Sequence, residues 1–427
     1  MPMMEKPLEN RPVTRNWIRI ALLNFVFAAS LGATLRFAFV EELSWMNYRH
    51  FLHAHSHIAM LGWLYMIFYA LLIQYFLPSD LQKQPFYRRL FWLTEISVLG
   101  MLFSFPVQGY GPVSISFSTL HVICSYIFCW KFYRDLKNSP TVHKQSRILV
   151  RLALLFQIIS TLGLWAMGPV IALGAKGTMW YNMAVQFYLH FQFNGWFFFA
   201  GLALLFQLIQ PQNFNPNYKV FRQFIWLMIA ATMATYSLIL AWSDSGMHYF
   251  ALNSLGVGLQ LVALLLLIRF LRPSFSEWGK IFSPHQLWLI RVAVIAFVAK
   301  VVIHSLIIIP YLATIGYTIR NFMIGFIHLM LLGMISHFVL GIASKENLLP
   351  LTSRMAKWGI GFFFTGFLLS ELLLFLQGTL FWAAKGLIPF YYEGLFGVSA
   401  LMPLGIVLLL FSQFEKIHVS PSFYQQN

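Results

Sequence analysis

The run His53-Ala54-His55-Ser56-His57 places three imidazoles within little more than one helical turn, and His50 precedes them by another. At 100° per residue, His50, His53 and His57 share one helix face, while His55 points nearly the opposite way. One helix can therefore offer imidazole to groups on two of its sides. Neutral imidazole is the commonest metal ligand and also carries protons. The chemistry on offer is metal or haem ligation, or proton relay.

The remaining histidines sharpen that reading. Of the 13 in the chain, His143, His285 and His418 fall in predicted loops or ends and His248 at the edge of an apolar run. Surface roles suffice for those four. His57, His121, His190 and His328 each lie about eight residues into an apolar run, about 12 Å at the helical rise. His304 is on a run of opposite direction but is expected at the same level. A shared depth on five helices has no reason in packing alone. Three of these histidines are also followed five residues later by glycine: His57 by Gly62 and Trp63, His190 by Gly195 and Trp196, His328 by Gly333. With 27 glycines in 427 positions, chance gives fewer than one such offset among 13 histidines. A glycine one turn from a histidine is expected to leave room for a flat macrocycle against the helix backbone. His337 lies on the opposite face and about 13 Å deeper, a place for packing or proton relay.

What must position these residues is a membrane bundle. The chain is 59% hydrophobic and only 10% charged, with 44 phenylalanines. A soluble chain carries about 25% charged residues, so a water-covered fold is excluded, and so is disorder. Apolar runs long enough to cross a bilayer give twelve spans, near 17–40, 50–77, 88–110, 113–131, 147–174, 180–209, 220–242, 248–270, 285–312, 320–343, 356–382 and 394–413. The expected class is an all-α polytopic membrane protein, one integral membrane domain over residues 1–427.

The net charge of +16 does not point to nucleic acid, because the basic residues sit in the gaps between apolar runs. Placing both termini in the cytoplasm puts Lys6, Arg11, Arg15, Arg19, Lys83, Arg88, Arg89, the stretch from Lys131 to Arg151, Arg269, Arg272, Lys280, Lys345, Arg354 and Lys357 on the inner side. Only Arg36, Arg49, Lys176, Arg320 and Lys385 fall near the outer side, with Lys300 inside a span. The expected location is the cell membrane, the inner membrane of a bacterium. The first span contains Ala28-Ala29-Ser30 but is longer than a signal-peptide core, so an uncleaved helix is expected. Cys124 and Cys129 form neither a disulfide framework nor a CxxC site.

The three His-to-Gly helices are four spans apart. That spacing predicts three four-helix units, about 1–140, 141–275 and 276–413, around a pseudo-threefold axis, with the histidine helix second in each.

This layout resembles the catalytic subunit of the haem-copper oxidase superfamily, which includes cytochrome oxidases and nitric oxide reductases. His53-Ala54-His55-Ser56 with Gly62-Trp63 is similar to the H-x-H-S … G-W motif of its microaerobic branch. His190 with Gly195-Trp196-Phe197-Phe198 and Gly201 is similar to that branch's H … G-F-F … G helix. The motif order is closest to the NnrS family of haem- and copper-containing membrane proteins tied to nitric oxide stress. The chain departs from the oxidases in carrying its H-x-H cluster in the second span and no histidine within 220–242.

The resemblance implies one or two haems, with His57, His190 and His328 as axial ligands, flanked by Gly62, Gly195 and Gly333. His53 or His55 would serve a second metal, and His121 and His304 would complete a copper or non-haem iron site. It implies a redox protein acting on nitric oxide or oxygen, an oxidoreductase fed by a quinol or cytochrome as electron donor. Two other functions stay open: a non-enzymatic haem or nitric-oxide binding protein in stress protection, and a transporter with a histidine proton relay. Glu95, Gln157, Lys300 and Glu371 also lie within spans. They are expected to form a proton path or, for Lys300 and Glu371 on spans nine and eleven, a structural ion pair.

Overall fold

The computed structural model describes residues 13–209, 217–243 and 246–415. Lys6, Arg11 and His418, used above, lie outside the described residues. Among the described residues there is no strand. Twelve helices are long and apolar enough to cross a membrane. They are span 1 (Val13–Phe37), span 2 (Tyr48–Phe76), span 3 (Pro85–Gln108), span 4 (Pro112–Leu136), span 5 (Lys144–Ala172), span 6 (Met179–Ile209), span 7 (Tyr218–Trp242), span 8 (Met247–Ile281), span 9 (Pro284–Leu306), span 10 (Arg320–Ala343), span 11 (Arg354–Trp382) and span 12 (Tyr391–Ser412).

Local chemistry sets the ends. Pro85, Pro112 and Pro284 stand in the first turn of their helices, where the missing N–H costs nothing. Ser283 and Gln286 form a reciprocal capping box at the start of span 9. Span 9 ends at Leu306, before the expected boundary, because Pro310 opens a separate short helix, Pro310–Thr318. His304 is thus two residues from the end of its helix and not eight.

Consecutive spans are neighbours throughout, and span 12 packs on span 1 to close the ring. Spans 2, 6 and 10 also touch one another across the middle. Their interior position explains their composition: Trp63, Phe68, Trp196, Phe199 and Val339 are sealed from any contact with the exterior. The outward faces stay apolar as well, with Phe103, Leu265, Ile295 and Leu372 each more than half exposed. A surface of that kind faces lipid, which takes up apolar side chains that water would not.

The helices of spans 2, 6 and 10 are not uniform. Each contains a π-helical segment: Ile58–Tyr65, Gln192–Phe197 and Leu329–Ser336. Such segments account for well under 1% of residues in proteins and gather at functional sites. Here each begins within two residues after the histidine that precedes the glycine, in three spans set four apart. A π turn inserts one residue and loosens the ladder, so its carbonyls need other partners. Asn24 Nδ2 donates to the Gly62 carbonyl at 3.1 Å, Ser336 Oγ to Leu331 at 2.7 Å and His337 Nδ1 to Leu332 at 2.7 Å.

Candidate cofactor site

The histidines gather in three places between neighbouring spans. In the first, His55 of span 2 turns toward span 1 and donates from Nδ1 to the Ala28 carbonyl at 2.8 Å. Gly32 makes this approach feasible, since a Cβ there would stand 2.8 Å from His55 Cε1. His328 of span 10 and His55 are close enough for their charges to interact, and both sense Arg36 at the end of span 1. Glu371 of span 11 sits with Oε1 3.6 Å from His328 Nδ1. Neither Glu371 oxygen nor His328 Nδ1 has a hydrogen-bond partner, although all three are buried. A fifth of the His328 side chain (21%) still borders space that protein does not fill. Gly325 keeps the Glu371 side clear, since a Cβ there would lie 3.3 Å from Oε2.

This region therefore holds the imidazoles of His55 and His328, the Glu371 carboxyl group and, at the end of span 1, the Arg36 guanidinium. His55 spends Nδ1 on a backbone carbonyl, the bond that fixes the tautomer of metal-ligating histidines and leaves Nε2 to bind.

The second place lies among spans 2, 3 and 4. His57 donates from Nδ1 to the His53 carbonyl at 2.8 Å, and its ring lies on Phe105 with centroids 4.2 Å apart. His53 packs on Tyr110, 4.5 Å between centroids. Tyr110 belongs to the turn before span 4, and burial pushes its phenol above the ordinary tyrosine range. His121 of span 4 lies within electrostatic reach of His57 and has a buried Nε2 without a partner. Tyr65 meets the His121 ring edge-on at 4.7 Å.

The third place lies among spans 6 to 9. His190 donates from Nε2 to the Thr232 carbonyl at 2.8 Å, so only its Nδ1 is left. His304 Nδ1 is 2.9 Å from Gln260 Oε1. Lys300, one turn from His304, donates to Asn194 Oδ1 at 3.1 Å.

Residues that the sequence groups together are thus divided. His55 joins His328, His57 joins His121, and His190 joins His304. Among the described residues no three His, Cys, Asp or Glu side chains surround one point closely enough to hold a metal ion. His121 and His304 serve different clusters and do not complete one site with His53.

Gly62, Gly195 and Gly333 make room, but a neighbouring span takes it up. A Cβ at Gly62 would meet Val98 at 2.9 Å, at Gly195 the Phe156 ring at 2.6 Å, and at Gly333 Phe367 at 2.7 Å. Lys300 and Glu371 do not pair with each other. Lys300 faces span 6 and Glu371 faces spans 1 and 10. Glu95 is held by Asn24 Nδ2 at 2.9 Å, and Gln157 Oε1 accepts from Gln192 at 2.9 Å. His337 stacks on Phe363 at 4.9 Å and is fully buried.

Four contributors escape a sequence reading. Gly32, Ala28, Gln260 and Thr232 carry no motif. Arg36 counts there only as a basic residue at a span end. The i, i+4 spacing of Gly32 to Ala28 is the one available signal, marking a face of span 1 open to close approach. No protein-family model and no curated protein matches the chain.

Proposed function

We propose that the protein is a haem-binding membrane redox protein of the cytochrome oxidase subunit I or NnrS type. The observation that carries this is the His328–Glu371 contact, whose three buried polar atoms have no partners, together with the His55 imidazole oriented through Nδ1. Its residues fit a haem. His55 and His328 would hold the iron through their imidazoles. His55 is already oriented through Nδ1. The partnerless polar atoms of His328 and Glu371 are groups that a bound, charged cofactor would satisfy. Arg36, in the last turn of span 1, would supply a cation for a cofactor carboxylate.

The bound haem would supply one-electron transfer. Held by His55 and His328, it would serve in electron transfer. Reaction with nitric oxide or oxygen then falls to a second centre, and His57 with His121 is the candidate pair for haem, copper or non-haem iron there. Binding of haem or nitric oxide without turnover is the second reading.

The three π segments at equivalent places and the mutual contact of spans 2, 6 and 10 support a pseudo-threefold arrangement of units near 1–140, 141–275 and 276–413. The distribution of basic residues supports cytoplasmic termini in a bacterial inner membrane, with a quinol or cytochrome as donor. The test is the visible spectrum of the purified protein, oxidised and reduced, with metal analysis. A haem spectrum of the bis-imidazole type is expected. A colourless, metal-free and folded preparation would sink the proposal.

A further inference from the structure

Lys300 lies within span 9 and is only 4% exposed. Its ammonium donates to a neutral amide, Asn194 Oδ1, at 3.1 Å. Among the described residues no carboxylate forms an ion pair with it, and the charged or titratable groups that sense it are His190 and His304. A lone cation inside a bilayer is costly and normally has a counter-charge.

Buried polar groups on the neighbouring spans stand without partners. Gln260 Oε1 is engaged by His304, but its buried Nε2 has no partner, and neither does Thr232 Oγ1. Asn253, two turns from Gln260 on the same face of span 8, is fully buried with both amide atoms unpartnered. His190 and Asn194, on the span 6 side, remain half-buried. A buried ammonium with no carboxylate paired to it among the described residues, beside the spare Gln260 N–H and Thr232 O–H groups, suits an anion.

We propose that Lys300, with Gln260 and Thr232, forms an internal site for a small monovalent anion. This is independent of the haem at His55 and His328, and it moves His190 and His304 from metal ligation to walls of the anion chamber. Each spare donor can give one hydrogen bond to the anion, and Lys300 supplies the charge.

The probe is thiocyanate, followed by the infrared C≡N stretch of the purified protein in detergent. A second, saturable band displaced from that of free thiocyanate is expected, competed away by nitrate. Lys300→Met is expected to weaken binding by at least about tenfold, and Gln260→Leu by a smaller factor. If Lys300→Met loses its melting transition, Lys300→Gln takes its place. His55→Ala and His328→Ala, which remove the proposed haem, are expected to keep the band. A band that disappears with the haem instead would belong to the iron and overturn the proposal. So would the absence of any bound band in the wild type, or a band unchanged in a folded Lys300 variant.

Discussion

Trp63 Nε1 donates to Ser336 Oγ at 2.9 Å, joining the π segment of span 2 to that of span 10. Ser336 in turn donates to the Leu331 carbonyl, so one hydroxyl serves both helices. Trp63 is also stacked on Phe25, with centroids 4.4 Å apart and planes 4° from parallel. The contact fixes the relative height of the two helices that carry His55 and His328.

Ser336→Ala should leave the Trp63 N–H buried without an acceptor, at a cost of about 1–3 kcal/mol. A lower melting temperature in detergent is expected, with the Trp63→Phe, Ser336→Ala double variant recovering part of the loss. An unchanged melting temperature in Ser336→Ala would mean that the tie does not hold the two helices.

The histidines of span 2 are separable by mutation. His55→Ala and His328→Ala should each remove bound haem or convert its spectrum to that of a five-coordinate iron. His57→Ala should leave that spectrum in place, as should His143→Ala and His418→Ala. Loss of the spectrum in His57→Ala but not in His55→Ala would assign the axial ligand to the other face of the helix.

Gly32→Ala puts a methyl group 2.8 Å from the His55 ring. The ring or span 1 must move, with an overpacking cost of about 1–3 kcal/mol, and haem occupancy should fall. Gly258→Ala, with nothing within 4 Å, should leave haem occupancy unchanged and melt no lower than wild type, since alanine favours a helix over glycine by about 0.5–1 kcal/mol. Equal occupancy in both variants would show that Gly32 does not set the His55 position.

Asn24 bridges the Gly62 carbonyl and Glu95 Oε2. Asn24→Leu should strand both and lower stability by about 1–3 kcal/mol per unpaired group. Glu95→Gln keeps an acceptor for Asn24 and should cost much less. Comparing the two melting curves is the check, and a Glu95→Gln loss as large as that of Asn24→Leu would contradict this account.

The amino-acid sequence by itself determined the twelve spans, because their length and apolarity answer to bilayer thickness and not to neighbours. All twelve expected ranges start within a turn or so of the observed helices, and the 320–343 range coincides with span 10, while span 8 runs on to Ile281, past the expected 270. The missed end of span 9 came from Pro310, which reads as apolar in a hydropathy window yet starts a new helix. The sequence also singled out the three His-to-Gly helices, since identity and spacing survive without coordinates. Only the tertiary structure decided the partners. His55 and His57 are two residues apart and face different neighbours, and the π segment following His57 alters the helical phase on which a projection depends. Likewise, a glycine opens space without saying who enters it. At Gly62, Gly195 and Gly333 a neighbouring side chain does, whereas at Gly32 it is the His55 ring, because the approach of two helices is set by packing along their whole length.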